Sequence, residues 1–234
     1  MTKAKWQNAM TPDRMDLQAY KRTFQDPEVA KKYHDDLTST GSGSALSLRM
    51  MMNEIVTRAE LSAIARMLRY IPPITRIADI PCGSGKERSL LSTRGRVIGI
   101  DASIPMLQFY ARNGGSDGMC ADIATIPLKT DSVDLVVCHR FLHRLPLETR
   151  LHLLTEIHRV SSQWAIVYYG VDGITQRSVM SLERMLGLGD RGRLFLCRPE
   201  EADNELRTTR WIVRRRTEVL KGVSTGYILL AEKS

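Results

Sequence analysis

Long apolar runs are missing from this chain. None approaches the roughly 18 residues that a membrane-spanning helix needs, so no such helix is expected. The opening stretch MTKAKWQNAMTPDRMD has no apolar segment of the secretory kind, and the expected location is the cytoplasm. Cysteine is scarce: Cys82, Cys120, Cys138 and Cys197 lie far apart, and none forms a CxxC pair. A zinc module or a dithiol redox motif is therefore excluded, no metal site is expected, and the thiols read as buried and free in a reducing compartment. Charge of one sign is not concentrated either. Lys+Arg number 34 against 26 Asp+Glu, and the net +8 divides as +3 over residues 1–70, +2 over 71–170 and +3 over 171–234. That rules out a basic tail or a separate basic domain. Internal repeats are absent as well.

What is present suits a globular protein: 234 residues with 43% apolar content, enough for one large domain with a small accessory. Residues 1–37 are polar with scattered apolar positions, and Asp26-Pro27 opens a short helical pattern. The stretch 38–44, Thr-Ser-Thr-Gly-Ser-Gly-Ser, has linker composition. Over 45–69 the positions Leu48, Met51, Met52, Ile55, Val56 and Ala59 fall on one helical face, and Pro72-Pro73 closes the helix. From 74 onward short apolar runs alternate with helical stretches. Strands are expected at 76–80, 96–100, 118–121, 133–138 and 164–169, and helices at 85–93, 103–112, 146–160 and 174–186. Such alternation reads as a parallel sheet covered on both faces. Residues 187–209 are poorly periodic. The runs 211–220 and 227–231 are joined too briefly for a crossover helix, so they are expected to be antiparallel.

The chemistry concentrates in Asp79-Ile80-Pro81-Cys82-Gly83-Ser84-Gly85-Lys86-Glu87, where a strand runs through a Gly-rich turn into a helix. Glycines there let a ligand approach the backbone, and a helix N-terminus presents free N–H groups. A P-loop is excluded, because Gly85-Lys86 is followed by Glu87 and the first glycine of that motif is Ile80. The dinucleotide fingerprint is disfavoured, because its third glycine is Arg88. Two more acids follow at regular distance: Asp101 stands 22 positions after Asp79, and Asp122 stands 21 after Asp101. An acid about 20 residues past the first turn is placed to accept ribose hydroxyls. Singly, each is a common helix cap or loop residue. Together, at the ends of three successive parallel strands, they converge on one crevice.

The turn resembles motif I of the class I S-adenosylmethionine (SAM) dependent methyltransferases, with Pro81 where many members have glycine. The resemblance implies a Rossmann-like α/β fold: a mostly parallel seven-stranded sheet with a C-terminal antiparallel hairpin. Residues 71–234 would form the SAM-binding domain and 1–70 a helical cap. It implies that Asp79 meets the cofactor ammonium, Asp101 the ribose, and Asp122 the adenine amino group, with Ile123 beside the ring. Pro81, Cys82, Gly83, Gly85, Ala102, Met106, Cys138, His139, His143 and Arg49 complete the implied cofactor set. The likeness continues through 125–138 and through Arg140-Phe141-Leu142-His143-Arg144-Leu145, where relatives often carry paired histidines and this chain has Arg144. It points towards quinone and small-molecule methylating enzymes without selecting one.

Other residues keep two readings. His139 directly follows the fourth strand and is either a general base or a cofactor-contacting or packing residue. His143 reads as structural. Tyr33-His34 beside the Gly/Ser stretch is either part of a substrate-covering lid or a plain surface helix next to a linker. Arg207, Arg210, Arg214, Arg215 and Arg216 form a basic run, read either as a phosphate-binding surface or as one wet face of a strand. The expected function is methyl transfer from SAM to a small-molecule or lipid-linked acceptor, with S-adenosylhomocysteine (SAH) as product. An RNA methyltransferase and a non-catalytic SAM-fold partner subunit are the alternatives.

Overall fold

The computed structural model describes residues 25–31, 44–170, 195–220 and 226–234, without the side chains of 44–50, 52 and 53. The expected helix at 174–186, Tyr33, His34 and the stretch joining the last two strands lie outside these residues. In chain order the elements are α1 (Ser44–Leu68), β1 (Arg76–Asp79), α2 (Arg88–Leu91), β2 (Arg96–Asp101), α3 (Ile104–Arg112), β3 (Gly118–Cys120), β4 (Val133–Cys138), a 3-10 turn (Leu142–Arg144), α4 (Leu147–Val160), β5 (Ser161–Gly170), α5 (Pro199–Thr208), β6 (Trp211–Glu218) and β7 (Gly226–Lys233). A helical turn over 27–31 precedes them.

The strands make one seven-stranded sheet in the order β3-β2-β1-β4-β5-β7-β6. β1 to β5 are mutually parallel, while β7 runs antiparallel to both β5 and β6. Alternation along each strand sends side chains to two cores. In β5, Ala165, Val167 and Tyr169 join one core, while Trp164, Ile166 and Tyr168 join the other. On the first face α4 contributes Leu153, Leu154, Ile157 and Val160, and α5 contributes Ala202 and Leu206. On the second face α1 contributes Ala63, Ile64, Met67 and Leu68 against Ile77, Leu135, Val137, Ile228 and Leu230. Each Leu, Ile, Val or Met among them, fully buried, stabilises the fold by about 1.5–3 kcal/mol.

Two elements depart from the sequence reading. The stretch 187–209, poorly periodic in sequence, contains α5. Pro199 sits in its first turn, and Glu201 Oε2 accepts the Arg198 backbone N–H at 2.8 Å. The apolar face expected along the first half of α1 is not buried: Met51 is 52% and Ile55 43% exposed. The reason is helix length. At 1.5 Å per residue the 25 residues of α1 span roughly 37 Å, about twice a sheet strand. Glu60 meets residues at the carboxyl end of β4, and Leu68 lies just ahead of β1, so everything before Glu60 projects beyond the carboxyl edge of the sheet.

Candidate functional site: the crevice at the carboxyl edge

β1, β2 and β3 bring Asp79, Asp101 and Asp122 to the same edge of the sheet. Asp79 closes β1 and is 0% exposed, and neither carboxyl oxygen has a hydrogen-bond partner. Burial raises its pKa well above the usual carboxylate range, and the charges of Glu87 and Asp101 push it the same way. After Asp79 the chain turns sharply. Ile80 N donates to Val137 O and Cys82 N to Ile100 O, both at 2.9 Å, and the Ile80–Pro81 peptide is cis. Gly83 at φ +50° and Gly85 at φ +81° carry the turn through the left-handed region. A Cβ built on Gly83 would meet only Met106 Cε, at 3.6 Å, so the backbone there faces open space.

Asp101 ties the turn to β2. Its Oδ2 accepts from Gly83 N at 2.9 Å and its Oδ1 from Ser103 N at 2.8 Å. Each oxygen keeps a further lone pair for a ligand. Burial raises its pKa, and the backbone donors at Ser103, Gly83 and Ala102 oppose that rise. Ser103 Oγ caps α3 by accepting from Met106 N, which seats Met106 beneath the turn. Asp122 Oδ1 accepts from Ala124 N at 2.8 Å, and Ile123 beside it is buried.

The carboxyl end of β4 adds a charged cluster. His139 Nδ1 donates to Glu87 Oε1 at 2.5 Å, and its Nε2 lies 3.6 Å from Glu60 Oε2. Arg140 grips Glu60 with both arms, Nε to Oε1 at 2.9 Å and Nη2 to Oε2 at 2.7 Å. This grip offsets the strain of a non-glycine residue at φ +52°. Burial alone would raise the Glu87 pKa, but the charge and hydrogen bond of His139, its own backbone N–H and Lys86 bring it below the ordinary value. The Tyr168 ring stands edge-on to His139 at 5.2 Å and to His143 at 5.3 Å. His143 is held neutral: burial lowers its pKa well below 6.5, aided by Arg144, Arg140 and His139. Cys82 and Cys138 are buried thiols, with pKa raised by burial and by Asp79.

Residues 78–168, spanning β1 to β5 and all three acids, match the family model of a methyltransferase domain. That stretch is similar to a methyltransferase domain. The fold of the chain is similar to that of magnesium protoporphyrin IX methyltransferase from Synechocystis PCC 6803 with bound SAH. That likeness has a TM-score of 0.72 and 15% identity, and it covers 93% of this chain and 99% of the other. The same enzyme with bound SAM matches at TM-score 0.72 and 14% identity, over 96% and 100%. A SAM-dependent methyltransferase from Methanosarcina mazei matches at TM-score 0.58 and 17% identity, over 71% and 96%. No curated protein sequence matches the chain.

The structure brings Asp79, Pro81, Cys82, Gly83, Gly85, Asp101, Ala102, Met106, Asp122, Ile123, Cys138, His139 and His143 to one end of the sheet. Arg49 belongs to α1, but its side chain is outside the described set. Sequence reasoning missed Glu60, Glu87 and Arg140 as members of the site. The signal for Glu60 was a lone carboxylate among the small and apolar residues Ala59, Ala63 and Ile64, on the stripe that α1 buries. For Glu87 it was a second acid directly after the glycine turn.

Proposed function

We propose that this chain is a SAM-dependent methyltransferase and that it acts on an apolar small-molecule or lipid-linked acceptor. The observation that carries this reading is the overhang of α1, which holds Met51 and Ile55 exposed beyond the carboxyl edge, the edge at which the three acids gather. The similarity in fold to an enzyme named for magnesium protoporphyrin IX supports it.

The residues fit the cofactor by their chemistry. Asp79, buried and unpartnered, matches a cationic ammonium, and the open face of Gly83 admits a ligand against the backbone. Asp101 takes the ribose hydroxyls on its remaining lone pairs. Asp122 takes the adenine amino group with Ile123 beside the ring, and Pro81, Cys82, Gly85, Ala102, Met106, Cys138 and His143 line the cleft. When bound, SAM supplies a methyl group already activated by its sulfonium, so the chain itself has to orient the acceptor and exclude water. His139 is the candidate for proton removal. Glu87 holds its Nδ1, which leaves Nε2 as the nitrogen that accepts. Residues 1–70, with Tyr33 and His34, act as the cap over the acceptor. Gln25 Nε2 donates to Ala102 O at 2.5 Å, which supports that role at the rim of the SAM site. Four free thiols agree with a cytoplasmic location.

An RNA acceptor finds less support. Arg214 pairs with Glu232 at 2.5 Å and Arg216 with Asp203 at 2.6 Å, while Arg215 lies over the Tyr70 ring at 4.8 Å. Three of the five arginines of the basic run are thus engaged within the protein. The test is transfer of labelled methyl from SAM to panels of quinols, phenols, porphyrins and polyprenyl-linked acceptors, beside bulk RNA. Transfer to an apolar acceptor, with KM raised by Met51→Asp, is the expected result. Labelled RNA alone overturns the acceptor class, and SAM binding without transfer to any of them points to the non-catalytic subunit.

A further inference from the structure

Two of the three residues at the heart of the glycine turn, Gly83 and Gly85, carry no side chain, and glycine backbone has the widest conformational freedom. Within the turn Gly85 N donates to Cys82 O at 2.9 Å, and Asp101 holds Gly83 N from the side of β2. Further contacts come from α3. Met106 Cε lies 3.6 Å from where a Cβ on Gly83 would stand, and Asn113 Nδ2 donates to Ser84 O at 2.8 Å. The Tyr110 ring packs against Gly85, where a Cβ would come within 2.8 Å of Cδ2. Met106, Tyr110 and Asn113 are spaced by four and then three positions, so they share one face of the helix. That face meets Gly83, Ser84 and Gly85 with one contact to each.

Tyr110 is the most constrained of the three. It is 0% exposed, and its ring lies in a socket made by four glycines. A Cβ on Gly85, Gly99 or Gly115 would stand 2.8, 2.6 or 2.0 Å from a ring carbon, and one on Gly118 3.4 Å. Gly99 and Gly115 do not have left-handed backbone, so conformation does not account for their missing side chains. The volume of the ring does. Interiors packed this closely transmit a displacement rather than absorb it, so neither the ring nor the turn shifts alone. Asn113 adds direction. It is the C-cap of α3, and its amide reaches back 29 positions to a carbonyl of the turn.

We infer that Tyr110 and Asn113 are positioning residues for cofactor binding. They act through the glycine turn, holding it in the shape that leaves the Gly83 backbone open to SAM. This rests on the SAM site proposed above and concerns how that site is held, not what it contacts. One helix thereby registers two parts of the site. Asp101 stands just ahead of α3, and the inward face of α3 sets the turn, so acid and turn are fixed to the same rigid element.

The experiment is calorimetric titration of the full chain with SAH, well below the melting temperature of each variant, together with amide hydrogen exchange of the ligand-free protein. Asn113→Ala should bind SAH at least fivefold more weakly than the wild type. Asn113→Asp should lose at least tenfold, because it sets a carboxylate oxygen against Ser84 O. Asn113 is exposed, so both variants are expected to fold. In each, the Gly85 amide should exchange faster while the amides of β4 keep their wild-type rates. Tyr110→Leu should lose at least tenfold in SAH affinity, and Tyr110→Phe, which keeps the ring, should recover it. Gly99→Ala should weaken SAH binding alone and regain part of it when combined with Tyr110→Leu, which lacks the ring carbon the new methyl strikes. A purely structural role lowers the melting temperature of these variants and leaves SAH affinity and Gly85 exchange as in the wild type, and that result overturns the proposal. If the wild-type chain binds no SAH, the cofactor site itself fails and the positioning role falls with it.

Discussion

Ionising Asp79 in the folded chain costs free energy, since burial and two neighbouring acids favour its protonated form. The sign of the pH effect follows. From about pH 4 upward the unfolded chain releases this proton while the folded chain keeps it, so stability is lost as pH rises towards the folded pKa. Asp79→Asn should therefore raise the urea midpoint of the ligand-free protein at pH 7 and above, with the gain vanishing near pH 4. The same variant should lose SAM binding in calorimetry. Asp101, whose pKa burial also raises, differs in that both its oxygens are engaged. Asp101→Ala should weaken SAM binding by about 2–4 kcal/mol, as two charge-assisted hydrogen bonds to the ribose are lost. It should also lower stability by about 1–3 kcal/mol, because Gly83 N and Ser103 N lose their acceptors. For His139 the informative pair is His139→Ala and Glu87→Gln. If Nε2 takes the acceptor proton, the first should lower kcat by roughly 10²–10⁴-fold with SAM affinity intact. The second should lower kcat as well, because Nδ1 loses the carboxylate that orients the ring. Full turnover in both variants makes His139 a packing residue.

Among the elements, α5 shows where sequence patterning ends. Its inward stripe runs Ala202, Glu205, Leu206, Thr209, with a carboxylate where an apolar residue is expected. Glu205 is there to receive Arg150, Nε at 3.0 Å and Nη2 at 2.5 Å, and the Tyr169 hydroxyl at 3.0 Å. A stripe interrupted by its own ion pair does not read as amphipathic, although Pro199-Glu200-Glu201 carries the ordinary signs of a helix start. Glu205→Ala would leave Arg150 charged and buried without a counter-charge, held only by Leu145 O at 2.9 Å, and should cost about 3–5 kcal/mol in urea denaturation. The strands were legible for the converse reason. β4 and β5 are buried on both faces, so their apolar runs were continuous and their ends fell within a few residues of expectation. The three acids were legible by spacing, since each closes one strand–helix unit of similar length. Glu60 was not, because it comes from a helix about 80 residues upstream of its partner Arg140, and sequence spacing does not encode such a meeting.

For the whole molecule, acidification acts through buried histidine. The folded state holds His143 neutral while the unfolded chain protonates it below about pH 6.5. The unfolded state thus binds more protons, and stability falls as pH drops, by up to about 1.4 kcal/mol per unit from this residue. His143→Gln should flatten the dependence of stability between pH 6.5 and 5 relative to wild type, as read from urea midpoints at fixed ionic strength. His158 shifts in the same direction and remains in both proteins, so the difference between the two curves isolates His143.

The sheet is open, and an open sheet has two borders that a second molecule can extend. One border, β3, is only three residues long. The other, β6, is eight residues long and carries Arg214, Arg215 and Arg216 in succession. Their internal partners leave Arg214 and Arg216 about half exposed at the side chain. Two copies approaching border to border would bring these cations face to face, and self-repulsion of this kind keeps native sheets from growing into fibres. Replacing all three with threonine keeps the strand-forming character and removes that guard. The variant should sediment as a concentration-dependent oligomer where the parent stays at its own size.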